Sequence, residues 1–247
     1  MKAVDKKLAF ALPTLSEGSF TRAEAGTLIA QGSHHVHSHP KLQGPGKDGL
    51  VALTEKAIQT GTIPQYPWEL PTAQVLHLTC SKARNEILTK ILAGRKNIKR
   101  EMGANINMVF EELATNAIYH SYQTKVGKDK YSRTQPALLS EKEKVSVYFA
   151  WENNGLYLAL EDKGGTLSFD RIQEVFHRCY LGDQKNKIEN KEGGAGLGLY
   201  MVFEAVTHLK LSITPGVSTV VSCWLQEKSR HVEESFSFNF FIRKEQP

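Results

Sequence analysis

The sequence predicts an α/β (α+β) two-layer sandwich, in which a mixed and mostly antiparallel sheet is covered on one face by helices. Two stretches carry this prediction. Segments 145–151 and 155–162 are rich in apolar strand formers and flank an Asn-Asn pair that tolerates positive φ, so they predict an antiparallel hairpin. Segment 105–122 predicts an amphipathic helix, because an apolar stripe recurs in it at helical spacing: Ile106, Val109, Phe110, Leu113 and Ala117.

The remaining elements follow from the same periodicities. Ser81 and Gly94 are the expected N-cap and C-cap of a helix over 81–94. The other predicted elements are a strand at 73–80, a helix near 169–180, a polar loop at 182–196, a helix at 198–209, and strands at 211–214, 217–225 and 235–242. The helices at 81–94, 105–122 and 198–209 are expected to form the layer over the sheet.

The first 70 residues differ in composition, so we divide the chain into an N-terminal appendage of unknown role (1–70) and a main domain (71–247). A short helix is predicted near 50–58 between two turn-rich patches. The appendage also holds a histidine cluster, His34, His35, His37 and His39. Imidazoles bind transition metals, but the Pro and Gly neighbours predict a mobile loop, and no Cys or carboxylate completes a ligand set.

Charge and cysteine content narrow the classes of function. The chain of 247 residues carries 31 Lys and Arg against 26 Asp and Glu, a net charge of +5, and the two signs are interleaved. This pattern is typical of a solvated surface, so we expect no nucleic acid partner. Three widely spaced cysteines favour reduced thiols and a cytoplasmic setting. No apolar run approaches the ~20 residues of a membrane span.

The helix at 105–122 carries the first candidate site. Glu112, Asn116 and His120 are spaced by four, so a helix places them on one face, roughly opposite its apolar stripe. An amide carbonyl oxygen is a suitable Mg²⁺ ligand. A carboxylate one turn earlier could orient or deprotonate a group that attacks a phosphate. His120 by itself is typical of a helix-face or capping side chain.

Two glycine-rich segments complete the pattern. Asp162 ends a predicted strand and precedes Lys163-Gly164-Gly165, where missing side chains let the backbone approach a ligand while the carboxylate accepts a hydrogen bond from an amine. The stretch GGAGLGL at 193–199 precedes an apolar helix, so free N–H groups at the helix N-terminus could meet a phosphate. A dinucleotide-binding fingerprint would need a preceding strand, and the chain has a polar loop there.

In this order, the three segments resemble the boxes of the GHKL ATPase superfamily, which includes gyrase, MutL, histidine kinases and anti-sigma-factor kinases. EELATNAIYHSY resembles the N box, LEDKGG the first glycine box and GGAGLGLYMV the second, over about residues 70–226. The resemblance implies the Bergerat ATP-binding fold with ATP and Mg²⁺. It implies that Asn116 is the Mg²⁺ ligand, that Glu112 is the catalytic carboxylate and that Asp162 accepts the adenine amine. It also implies nucleotide contacts from a further set of residues: Gly164, Gly165, Gly194, Gly196, Leu197, Gly198 and Thr219.

Within the superfamily, the wording ELATNAIYHSY and the short chain are most similar to the anti-sigma-factor serine kinases. This implies a bacterial signalling kinase that acts on a protein regulator of the anti-anti-sigma or sigma type. Thr166 departs from the usual second glycine of the first glycine box, and Glu192, with Lys191 beside it, stands where an arginine often meets the γ-phosphate. Lysines 185, 187 and 191 could also touch phosphates.

Three alternatives stay open: a non-catalytic ATP/ADP-binding switch module, a histidine-kinase catalytic domain with a separate phospho-acceptor protein, and an unrelated basic interaction domain. The last strand has a separate pair of interpretations. Phe236, Phe238 and Phe240 alternate with polar residues, which predicts core packing. A partner or homodimer surface is the alternative.

Overall fold

One mixed sheet of eight strands organises the molecule. The computed structural model describes residues 13–39, 49–70, 72–124, 129–152, 155–182, 197–226 and 235–243. The strands are β1 (Leu15–Gly18), β2 (His35–Ser38), β3 (Gln74–Leu78), β4 (Val145–Glu152), β5 (Gly155–Asp162), β6 (His208–Thr214), β7 (Ser218–Gln226) and β8 (Phe236–Ile242). Their order across the sheet is β1-β2-β8-β6-β7-β5-β4-β3. Among the pairs that these eight described strands form, β1/β2 and β6/β8 are parallel and the others are antiparallel.

Most of the helices form a layer over one face of the sheet, which we call the front face. They are α1 (Arg22–Ala30), α3 (Arg84–Ala93), α4 (Arg100–Tyr119), α5 (Phe169–Phe176) and α6 (Gly198–Ala205). The predicted apolar stripe of α4 is buried throughout, and so are Phe236, Phe238 and Phe240 of β8 beneath the helices. The front core is therefore continuous, and the predicted core role of the three phenylalanines is confirmed.

A smaller cover lies on the opposite face, which we call the back face. Helix α2 (Gly49–Thr60) and residues 61–70 place Leu50, Ala57, Tyr66 and Trp68 against side chains of β5 and β8. The predicted fold class is confirmed, with this correction: helices cover the sheet mainly, but not only, on one face. The back cover was missed because its apolar positions are few and its sheet partners are distant in sequence.

The N-terminal residues contribute strands to the same sheet. β1, α1 and β2 form a parallel β-α-β unit, and β2 pairs with β8. The prediction of a mobile histidine loop was wrong, because His35, His37 and His39 are buried in and just after β2. A division near residue 70 therefore does not separate two sheets, and the division into domains remains a prediction.

Two predicted boundaries are also corrected. The helix predicted over 198–209 ends at Ala205, because Val206 is extended and Thr207 N donates to Trp224 O of β7, which starts strand β6. Ser81 does not cap α3; its hydroxyl accepts from Ala137 N at 3.0 Å. Gly94 is the C-cap as predicted.

Candidate functional site

Helix α4 directs Glu112 and Asn116 to the same side, as the spacing predicts. Both are half-buried, whereas Leu113, Ala114 and Ala117 between and beside them belong to the core. Among the described residues, the side chains of Glu112 and Asn116 have no hydrogen-bond partner. Because both groups lie at the boundary of the core without a partner in the described ranges, they are available to a ligand.

Glu111 and Thr115, on the adjacent face of α4, contact Arg84 and hold the helix in position. Arg84 Nη1 lies 2.9 Å from Glu111 Oε2 and donates to Thr115 Oγ1 at 3.0 Å. These contacts come from α3 and hold the residues that precede Glu112 and Asn116 in the chain. The orientation of the two site residues thus depends on packing between helices as well as on periodicity within α4.

Asp162 lies at the end of β5 and is opposite Thr219 of β7 in the register of the sheet. Its Oδ1 accepts from Gly164 N at 2.8 Å and from Gly165 N at 3.4 Å, and the hydroxyls of Ser121 and Thr219 lie close to the same carboxyl group. Burial raises the pKa of Asp162, and these four donors oppose that rise by stabilising the carboxylate. The group is buried but fully supplied with polar neighbours.

The two glycines after Asp162 allow the turn to fit between protein segments. A Cβ on Gly164 would lie 1.7 Å from Ser121 O at the end of α4. Gly165 has φ +59°, and a Cβ there would lie 2.3 Å from Thr214 O. These positions exclude side chains for a reason that the sequence did not reveal, since the close neighbour is protein backbone.

Helix α6 meets α4 at Glu112. A Cβ on Gly198 would lie 2.0 Å from Glu112 Oε2, so any larger residue there would displace the Glu112 carboxylate. The N-cap Leu197 has no side-chain acceptor for the N–H groups of the first turn. Such uncapped N–H groups favour an anion. Gly194 and Gly196 lie outside the described residues, as do Glu192 and the lysines at 185, 187 and 191.

His120, the C-cap of α4, belongs to a polar cluster that the sequence did not predict. Its Nδ1 lies 2.7 Å from Asp129 Oδ2, and its Nε2 lies 2.5 Å from Arg133 Nη2. Because a guanidinium can only donate, Nε2 accepts and Nδ1 carries the proton. Burial lowers the pKa of His120, which agrees with a neutral ring. Thr166 donates to His120 O at 3.0 Å, so the residue that replaces the expected glycine ties the turn to α4.

The structure therefore brings together segments that are far apart in the sequence. Glu112 of α4 lies beside Gly198 of α6, and Ser121, just after α4, contacts the turn after Asp162. Ser121 was missed as a site residue, although it lies inside the stretch that resembles the N box. No spacing pattern in the sequence indicates that Ser121 lies close to Asp162.

The fold and this arrangement define a nucleotide-binding α/β sandwich. The sequence from 103 to 229, just over half the chain, matches the family model described as histidine kinase-, DNA gyrase B-, and HSP90-like ATPase. The chain belongs to this family, and membership implies that it binds ATP. No curated protein matched the sequence at a significant level.

Domains of this family bind ATP together with Mg²⁺. The residues present fit this pair: Asn116 has an amide with no partner in the part of the chain that the structure describes, the first turn of α6 has no side-chain cap, and Asp162 is a buried acid. None of the helices in the described ranges is long and apolar enough to cross a bilayer. None of the three cysteines, Cys80, Cys179 and Cys223, forms a disulfide.

Proposed function

We propose that this protein is a cytoplasmic signalling kinase that binds Mg²⁺-ATP and transfers the γ-phosphate to a serine or threonine of a protein regulator. The anti-sigma-factor kinases are the branch that its N-box wording resembles, so the regulator is of the anti-anti-sigma or sigma type. Membership of the ATPase family supports nucleotide binding, and the phosphotransfer step rests on Glu112.

The observation that supports the proposal best is the approach of α6 to Glu112 of α4. Its carboxylate has no hydrogen-bond partner among the described residues, and it lies against the first residue of α6. No donor among the described residues competes for it, and the N–H groups of the first turn of α6, which favour phosphate, lie beside it.

The roles of the residues follow from these positions. Asn116 would hold Mg²⁺ through its amide oxygen, and the ion when bound would neutralise phosphate charge. Asp162 would accept a hydrogen bond from the adenine amine, with Thr219 beside it. Gly164, Gly165, Gly194, Gly196, Leu197 and Gly198 would supply backbone to the nucleotide. Glu112 would orient the attacking hydroxyl and accept its proton.

A non-catalytic ATP/ADP switch is the second candidate. Thr166 favours it, because its hydrogen bond to His120 O ties the adenine-side turn to α4 in a way the glycine of the usual pattern could not. In that case nucleotide exchange would change affinity for a partner, and Glu112 would not be needed for binding.

Calorimetric titration with ATP, with and without Mg²⁺, tests the binding step. We expect Mg²⁺-dependent binding by the wild type and its loss in Asn116→Ala. Asn107→Ala is the matched control, because it removes an exposed amide from the same helix. Equal binding by the wild type and Asn116→Ala would refute the Mg²⁺ assignment, and no binding by the folded wild type would refute the proposed function.

Turnover separates the kinase from the switch. With γ-labelled ATP and a cell extract as the source of acceptors, Glu112→Gln should keep ATP affinity but lose transfer by about 10²-fold or more, the scale of a general base. Glu101→Gln, an exposed change on the same helix, is the control. Acid-stable phosphate on the acceptor supports serine or threonine, acid-labile phosphate indicates a histidine kinase, and no transfer by the wild type supports the switch.

A further inference from the structure

Arg22 connects the N-terminal β-α-β unit to the helix that approaches Glu112. Its Nη1 donates to Phe203 O at 2.8 Å and its Nη2 to Val206 O at 2.6 Å. These are among the last carbonyls of α6. The guanidinium also lies over the Phe236 ring, 3.9 Å from the centroid. One side chain therefore caps the C-terminus of α6 and is itself held by aromatic stacking.

The position of Arg22 in its own helix is locally unfavourable. It is the first residue of α1, where the helix dipole disfavours a cation. The capping box of Thr21 and Glu24 satisfies the α1 N-terminus without it. At the C-terminus of α6 the same charge is favourable. Because Arg22 is unfavourable at the start of α1 and favourable at the end of α6, we attribute its role to α6.

A second contact joins α1 to α6. The Tyr180 ring, in the π-helical turn His177–Leu181, sits so close to Gly26 of α1 that a Cβ there would lie 2.1 Å from it. The Tyr180 hydroxyl donates to Glu204 Oε1 on α6. Gln173 Nε2 donates to Ala30 O at 3.0 Å, which adds a contact between α5 and the end of α1. α1 is thus linked to α6 directly and through Tyr180.

We propose that the β-α-β unit of residues 15–38 is a positioning element of the nucleotide site, and that it acts through Arg22 and Tyr180 on α6. The proposal rests on the proposed function, in which the first turn of α6 meets phosphate. An eight-residue helix is about 12 Å long and rigid, so fixing its C-terminus also fixes Gly198 against Glu112. The unit is then part of the ATP site without touching ATP.

Hydrogen exchange without nucleotide tests the link directly. In Arg22→Met, the amides of Met201 and Val206, which bond within α6, should exchange about tenfold faster than in the wild type, since a well-placed cap is worth up to about that factor. Arg95→Met is the matched control, because Arg95 also lies over an aromatic ring, Trp151, away from α6. Unchanged exchange in α6, or a rise spread evenly over the whole protein, would overturn the proposal.

Ligand binding tests the consequence. Arg22→Met should weaken Mg²⁺-ATP binding about tenfold, since displacements of about 1 Å at a site carry large costs. The same change should leave the affinity for adenosine, which has no phosphates, unchanged. Arg22→Lys should recover part of the ATP affinity by keeping the charge. Equal losses for ATP and adenosine would overturn the proposal. A wild type that binds neither would refute the proposed function, and the exchange result would still decide the link.

A glycine pair gives an independent test. Alanine is intrinsically favoured over glycine in the interior of a helix. Gly26→Ala should nevertheless accelerate exchange in α6, because the methyl displaces Tyr180. Gly103→Ala on α4, where the nearest atom to a Cβ is 3.9 Å away, should stabilise the protein. A Gly26→Ala protein that keeps wild-type exchange in α6 would refute the Tyr180 link.

Discussion

The two faces of the sheet are stabilised in different ways. The front core is a broad apolar cluster that includes Phe110, Phe176, Phe203 and Phe238. The back cover has a small apolar cluster surrounded by buried polar groups. An apolar core tolerates substitutions by hydrophobic residues of similar volume, whereas each buried polar group needs a hydrogen-bond partner. The candidate nucleotide site lies on the front face, and we expect the stability of the back face to depend more on pH and charge.

The back face contains a hydrogen-bond network centred on Asn239. Its Oδ1 lies 3.1 Å from His35 Nδ1 and 3.0 Å from His37 Nε2. Thr54 Oγ1 of α2 lies 3.1 Å from His37 Nε2 and 2.6 Å from the Tyr66 hydroxyl. These contacts specify where α2 sits on the sheet, which the few apolar contacts of α2 would not do alone.

The largest expected effect is on the front face. Phe203→Ala should lower the free energy of unfolding by about 3–5 kcal/mol, because a fully buried ring in a dense aromatic cluster leaves a cavity. Phe241→Ala on the back face, the matched change, should cost less, because its cluster is small. Denaturant titration measures both. A greater loss for Phe241→Ala would break the comparison between the faces.

A buried ion pair on the back face gives the next effect. Lys210 Nζ lies 2.5 Å from Glu69 Oε2 and donates to Pro64 O at 3.0 Å. Lys210→Met should destabilise the protein by about 3 kcal/mol, because it leaves the Glu69 carboxylate buried without its cation. The double variant Lys210→Met/Glu69→Gln should recover most of that loss, since glutamine still accepts from Tyr66 N. No recovery in denaturant titration of the double variant would show that hydrogen bonding to Lys210, not charge, is what matters.

Acid should act on the back face through His35. Its pKa is lowered to about 3, mainly by burial; the hydrogen bond with Asn239 opposes this decrease, and the neighbouring His34 and His37 add to it. The unfolded chain binds a proton near pH 6.5 and the folded one does not. The contribution of His35 to the free energy of unfolding is therefore fully present above about pH 6.5 and is lost as the pH falls from about 6.5 towards 3. At pH 5 the loss from this group is roughly 2 kcal/mol.

Stability measured from pH 7 to 4 in the wild type and His35→Gln checks this prediction. The variant should show a shallower decline, even if it is less stable at pH 7. Parallel curves would mean that His35 does not carry the acid sensitivity.

The smallest effect concerns the edge of the front layer. Thr21→Ala removes the hydroxyl that accepts from Glu24 N at 3.2 Å in the α1 capping box. It should cost about 1 kcal/mol of stability, the usual value of an N-cap. Thr21→Asp, which keeps a capping acceptor, is the control, and thermal unfolding is the measurement. A loss of more than about 2 kcal/mol would mean that this residue has a further role in the β-α-β unit.

Several elements were predictable from local pattern. The stripe of α4, the hairpin of β4 and β5 and the alternation in β8 follow from periodicity, because each buries one face. Segment 33–39 was not predictable in this way. Its histidines are polar residues that a sequence pattern places at the surface. They are buried only because β2 pairs with β8, about 200 positions later. The end of α6 at Ala205 also depended on a partner, since Thr207 pairs with Trp224.

The sequence by itself determined the class of fold and the main candidate residues, because the spacing of Glu112 and Asn116 and the glycines after Asp162 are local properties of the chain. Only the tertiary structure decided which residues surround them. It placed Gly198 against Glu112, Ser121 against Asp162, and Arg22 at the end of α6. These contacts join residues separated by some 40 to 180 positions. Their pairing depends on how the sheet and the helices pack, and no local pattern encodes it.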